Sequence, residues 1–166
     1  MEFHQLLDWA FQRHLNPLSW YIRPIFLIVL AFFAYKRNWK GMMITFLLMM
    51  SSMVWFPAPK TINPQMEAVL DYEKMLLSDP GTAVFTLALM MAFVISMGVA
   101  FWKHSFKIGL VILNVTLIGK VVLSLMLTGD NGWAPIGNTL FGLLLVNGIG
   151  LVLLRLQNKQ RWTKIH

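Results

Sequence analysis

The sequence contains no cysteine and only seven acidic residues in 166 positions. The first absence excludes disulfides, thiolate metal sites and a cysteine nucleophile. Also missing are a P-loop, a dinucleotide fingerprint, HExxH and GxSxG, so the common nucleotide, zinc-protease and serine-hydrolase chemistries have no footing. His4, His14, His104 and His166 all lie outside the long apolar runs, which leaves a haem between membrane helices without paired ligands. No cofactor and no metal is expected. Charge of either sign is scarce. Only 13% of residues are charged, about half the soluble average of roughly 25%. The start "MEFHQLLDWAF" has no basic n-region and no small-residue cleavage site, so the mature chain is expected to begin at Met1.

What fills the sequence instead is apolar, at 57% hydrophobic residues. A net charge of +7 and a pI near 10 do not point to nucleic acid, because a soluble basic domain would not carry apolar stretches of about 20 residues. The expected fold is an all-α integral membrane protein, a compact bundle of five transmembrane helices in a single domain. The spans are read at 18–35, 41–56, 82–101, 106–128 and 133–154. The first is the weakest, since Arg23 and Pro24 interrupt it and only "IFLIVLAFFAY" is unbroken. A four-span alternative without it separates the charges less cleanly.

Two amphipathic helices flank these spans. Phe3, Leu6, Leu7, Ala10, Phe11 and Leu15 recur at helical spacing, which reads as an N-terminal helix lying on the membrane surface. Between the second and third spans, Asn63 is a helix cap, Pro64 suits the first turn and "DPG" at 79–81 is a stop, giving a helix over 64–78. Met66, Val69, Leu70 and Leu77 mark the face on which it rests.

Basic loops are retained in the cytoplasm. Nine of the fourteen Lys and Arg residues (36, 37, 40, 103, 107, 155, 159, 161 and 164) fall on one side of the five-span arrangement, and four (13, 23, 60 and 74) on the other. All seven carboxylates share the second side. The expected location is a cell membrane, inner or plasma, with the N-terminus outside and the C-terminus cytoplasmic.

The fourteenth basic residue, Lys120, sits within the fourth span. It lies about 12 Å below that span's outer end at 1.5 Å per residue, where a lone lysine costs about 2.5 to 3.5 kcal/mol. Its Cα–Cβ bond tilts toward the helix N-terminus, away from the nearer surface, which disfavours snorkelling. Gly109, Thr116, Lys120, Ser124 and Thr128 form one polar stripe, so Lys120 is read as an interior ion pair or wet site. Arg23 is more simply an interfacial anchor beside Trp20 and Tyr21, with a shared site as the alternative. Glu67 and Asp71, four residues apart on the outer helix, are candidate bases, although Lys74 beside them makes a solvated charge face the plainer reading. Asn114, Asn138 and Asn147 read as interhelical glue, and Ala88, Ala92, Ser96 and Ala100 as a close-packing ridge.

The leading functional expectation is binding or passage of a small or lipid-like, anionic ligand in the outer half. Lys120 and Arg23 would hold it, with Thr116 and Ser124 as hydrogen-bonding neighbours. One rival is an accessory or assembly subunit of a larger membrane complex. The other is an enzyme acting on a lipid or polyprenyl phosphate, with Glu67 or Asp71 as base. Membrane lipids, a homo-oligomer or a larger complex are the expected partners, and nucleic acid is not.

Overall fold

The computed structural model describes residues 3–128, 133 and 135–162, and every regular element among them is helical. In chain order these are α1 (Phe3–His14), α2 (Pro17–Tyr21), α3 (Arg23–Tyr35), α4 (Trp39–Ser51), α5 (Pro64–Ser78), α6 (Pro80–Trp102), α7 (Phe106–Thr128) and α8 (Ile136–Trp162). A 3₁₀ turn, Ser52–Val54, extends α4. Four helical segments are long and apolar enough to cross a membrane: Pro17–Tyr35, Pro80–Trp102, Phe106–Met126 and Ile136–Arg155. The segment expected to be weakest therefore qualifies. The shorter one is Trp39–Val54, about 24 Å long at 1.5 Å per residue.

Short as it is, that helix runs back to the level at which α2 begins. Arg13 Nε donates to Val54 O at 2.9 Å and Asn16 Nδ2 to Pro57 O at 2.9 Å. The Pro17–Tyr35 segment is itself broken at Ile22, because Pro24 has no N–H to give to the carbonyl one turn back.

Proline-led caps start the helices at one end of the bundle. Asn16 accepts from Leu18 N, Asn63 from Gln65 N and Asp79 from Thr82 N, each followed by Pro in the first turn. Here "DPG" does more than stop α5, since Asp79 caps α6 and the helix begins at Pro80 rather than Thr82. At the opposite end α3 and α6 close in the same way. Asn38 N bonds Phe33 O and Arg37 N bonds Ala34 O, while Ser105 N bonds Ala100 O and His104 N bonds Phe101 O. This is the Schellman pattern, and it places Arg37 (φ 53°) and His104 (φ 57°) in the left-handed region usually filled by glycine. Both tight turns carry basic residues, which also suits the negative ends of the helix dipoles.

The core is organised around α3. Leu30, Ala31 and Ala34 pack on Met97 and Phe101 of α6, Leu113 of α7 and Val146 of α8. A smaller cluster of Trp20, Met66 and Val69 fixes α5 across the other end. Gly142 of α8 is buried where a side chain would meet Leu117 and Pro24. The expected ridge on α6 behaves differently: Ala100 is buried, but Ala88, Ala92 and Ser96 face away from the chain. Within one chain that ridge packs nothing.

In the middle of α7 and α8, two amides lock reciprocally. Asn114 Nδ2 donates to Asn147 Oδ1 (3.0 Å) and Leu110 O (2.8 Å), while Asn147 Nδ2 donates to Asn114 Oδ1 (2.7 Å) and Leu143 O (2.8 Å). All four amide protons are used. The third asparagine differs, since Asn138 Oδ1 is buried without a partner among the described residues. Replacing Asn147 with Leu orphans Asn114 and is expected to cost about 1 to 2 kcal/mol of unfolding free energy in detergent. The Asn114→Leu/Asn147→Leu double variant is expected to lose less than the two single changes together, because it leaves no polar group unpaired. Additive losses in a denaturant titration would contradict this coupling.

Candidate functional site

Five helices bring five side chains together at the end where α5 lies: His14 of α1, Trp20 of α2, Arg23 of α3, Glu73 of α5 and Lys120 of α7. Trp20 is the platform. It is 1% exposed, its Nε1 donates to His14 O at 2.7 Å, and the His14 ring stacks on it at 4.4 Å. Arg23 Cζ lies 5.0 Å and Lys120 Nζ 5.3 Å from the centroid of the same ring. Two cations over the ring of one indole, each within about 6 Å of its centroid, draw on its quadrupole at roughly 0.5 to 2 kcal/mol each. That does not neutralise them.

Glu73 supplies the opposite charge. Its Oε2 lies 3.2 Å from His14 Nε2, and its Oε1 lies 3.8 Å from Arg23 Nη1. An ionised carboxylate only accepts, so Nε2 carries the proton of that hydrogen bond. Arg23 Nη2, at 3.3 Å from the same nitrogen, is then a neighbour of the imidazole and not its donor. Burial by itself would raise the Glu73 pKa. The hydrogen bond from His14 and the positive charges of Lys120, Arg23 and His14 outweigh burial and bring it from 4.5 down to about 2.

Ser19 touches the other edge of the imidazole, 3.4 Å from Nδ1, completing a Ser–His–Glu order. This is not a nucleophile. Ser19 is fully buried, and its hydroxyl lies 2.7 Å from Asn16 O and 3.1 Å from His14 O, where its one proton is committed to the backbone. His14 is also buried, at 1% exposure. The open part of the cluster is the Arg23–Glu73 pair, whose side chains are 28% and 27% exposed. A metal ion at His14 and Glu73 would be repelled by the adjoining Arg23 and Lys120.

Of the residues singled out in the sequence, Lys120 and Arg23 are brought together on Trp20. Ser124 is buried one turn beyond Lys120 on α7, and Thr116 is half-buried one turn before it. Glu67 and Asp71 are both exposed on the outer surface of α5, away from the cluster. Thr128, the last member of the polar stripe, has a side chain outside the described residues. So does Asp130, the remaining carboxylate between α7 and α8.

Three members were not anticipated. Trp20 reads as an interfacial anchor but is buried, and His14, read only as lying outside the long apolar runs, is stacked on it. Glu73 was legible. At 100° per residue it falls about 20° from Met66, in the middle of the stripe formed by Met66, Val69 and Leu70, whereas Glu67 and Asp71 lie 100° to 140° away. A carboxylate on the apolar face of a helix needs a partner beneath it, and the cationic positions below were already known.

No protein family matches the chain, and no curated protein or solved structure matches it. The reading of the site therefore rests on its own chemistry.

Because the folded Glu73 pKa lies below its ordinary value, the stability it confers is fully present above about pH 4.5 and is lost as pH falls toward about 2. Thermal unfolding between pH 6 and pH 2.5 is expected to show a steeper acid loss in the native protein than in Glu73→Gln. The variant itself is expected to be about 2 to 3 kcal/mol less stable near neutral pH, below the 3 to 5 kcal/mol of a fully buried broken pair because a quarter of the side chain meets solvent. Parallel pH profiles would remove Glu73 from the account.

Proposed function

We propose that the cluster binds an anionic ligand, small or lipid-like, in the outer half of a five-span membrane bundle whose N-terminus is outside and whose C-terminus is cytoplasmic. Support for the topology comes from the charge division. The turns Lys36–Lys40 and Lys103–Lys107 gather at one end, whereas the described acids belong to α1, α5 and the cap of α6. Basic residues mark the cytoplasmic side. The return of Trp39–Val54 to the level of α2 supports counting it as a crossing, despite its length.

The observation that carries the ligand reading is the charge count. Among the described residues, Arg23 and Lys120 bring two positive charges against the one carboxylate of Glu73, so these groups leave one net positive charge even with His14 neutral. An intramembrane cation needs a counter-charge or water, and an anion entering beside the partly exposed Arg23 supplies it. Arg23 offers the planar fork suited to carboxylate or phosphate, and Lys120 a point charge below it. Binding draws more support than passage, because the next polar groups inward are Thr116 and the closed Asn114–Asn147 pair. Catalysis draws less: the candidate bases Glu67 and Asp71 stand apart, and His14 is buried. A larger complex would require a contact surface that nothing in the cluster calls for.

Purified protein equilibrated with phosphatidylglycerol, or with inorganic phosphate as the small probe, tests the proposal by native mass spectrometry and thermal shift. The native chain is expected to retain one or other anion at least tenfold better than Lys120→Met or Arg23→Gln, with both variants folded. Lys120→Met is expected to remain within about 1 kcal/mol of native stability, because it removes both a counter-ion and the cost of burying a charge. Equal anion retention in all three would overturn the reading, as would an Asp130→Asn variant that gains anion binding at Lys120, since the counter-ion would then lie within the chain.

A further inference from the structure

An apolar groove lies at the end remote from Glu73. It has a volume of about 520 Å³ between α3, α7 and α8, with walls that include Ile28 and Phe32 of α3, Leu110 of α7, and Ile149 and Gly150 of α8. Such a volume lies within the ordinary range of small-molecule sites. Its lining is apolar except at one end, where Tyr35 and Lys36 stand at the mouth.

We infer that this groove holds one acyl chain of an anionic phospholipid in the leaflet at the basic end, with the phosphate on Lys36. The inference is independent of the Glu73 cluster and needs only that the helices cross a bilayer. Length is the first argument. From Ile28 to Lys36 the groove follows α3 for about 12 Å at 1.5 Å per residue, close to the roughly 15 Å hydrocarbon depth of a single leaflet. It serves one leaflet, not both.

The position of the charge is the second. Lys36 Nζ lies 5.9 Å from the centroid of the Phe32 ring, itself part of the wall, so the ammonium is folded over the groove mouth. His104, edge-on to Tyr35 at 4.4 Å, borders the same end.

Complementarity is the third. Lys36, Arg37, Lys40, Lys103, Lys107 and Arg155 gather at this end, and among the described residues no carboxylate joins them. Each basic residue near a membrane surface attracts anionic headgroups. A protein helix would be a poor occupant, because a helix is about 10 Å wide and would have to leave the cationic mouth unmatched. One chain with a phosphate meets both ends.

The test uses delipidated full-length protein in detergent, carrying Lys120→Met so that the other site is silent. Phosphatidylglycerol and phosphatidylcholine of equal chain length are titrated and read by native mass spectrometry. One phosphatidylglycerol is expected to be retained at least tenfold better than phosphatidylcholine. Lys36→Glu is expected to abolish that preference, while Lys40→Glu, on the neighbouring helix, leaves most of it. Ile149→Trp, which fills the groove from a partly exposed wall position, is expected to weaken retention of both lipids, with an unchanged melting temperature showing that the bundle is intact. Equal retention of the two lipids, equal effects of Lys36→Glu and Lys40→Glu, or full retention in a folded Ile149→Trp variant would each overturn the inference.

Discussion

Among the described residues, one carboxylate facing two cations on a buried indole is the constraint on which this end of the molecule depends. Lys120 stands about 12 Å from the end of α7 at 1.5 Å per residue, on a helix apolar enough to cross a membrane, where a charge needs a counterpart. Meeting that requirement takes four helices. α5 must lie across the bundle so that Glu73 points down, α1 must end at His14 so that its imidazole holds the carboxylate, and α2 must break from α3 at Ile22 so that Trp20 and Arg23 reach the same spot. The caps at Asn16 and Asn63 then serve the site as much as the helices, since each fixes where an element carrying one of these residues begins.

The two ends of the bundle solve different problems. At the basic end, tight Schellman turns join α3 to α4 and α6 to α7, with Arg37 and His104 in the left-handed positions. Those side chains are exposed, and among the described residues no carboxylate joins them. At the other end the connection between α4 and α6 is long, and it uses that length to carry a carboxylate back over Lys120. Between them, the Asn114–Asn147 pair is self-sufficient, so it holds α7 to α8 without drawing on either end.

Much of this was legible in the residues. The bounds of α5 follow from Asn63, Pro64 and Asp79, and the depth of Lys120 follows from counting residues. Helix periodicity placed Asn114 and Asn147 in apolar spans, where amides seek each other. The partner of Lys120 was missed for a physical reason: Glu67 and Asp71 attract notice as a pair, whereas Glu73 is single and its meaning lies in the apolar company of Met66, Val69 and Leu70. His14 and Trp20 were not legible, since their burial depends on how α1 and α2 fold over the bundle and not on any local period. The ridge from Ala88 to Ala100 shows the converse limit. Small side chains announce that close approach is permitted, but not which neighbour makes it.

The central claim is that Glu73 holds the charge of Lys120, and a double-mutant cycle on unfolding free energy tests it most directly. Glu73→Gln, Lys120→Met and the combined variant are compared with the native chain in the same detergent. The account predicts that Glu73→Gln is markedly less harmful once Lys120 is Met, with a coupling of about 1 kcal/mol or more. Losses that add to within about 0.3 to 0.5 kcal/mol would mean that the two residues do not sense each other, and Lys120 would have to find its counter-charge elsewhere.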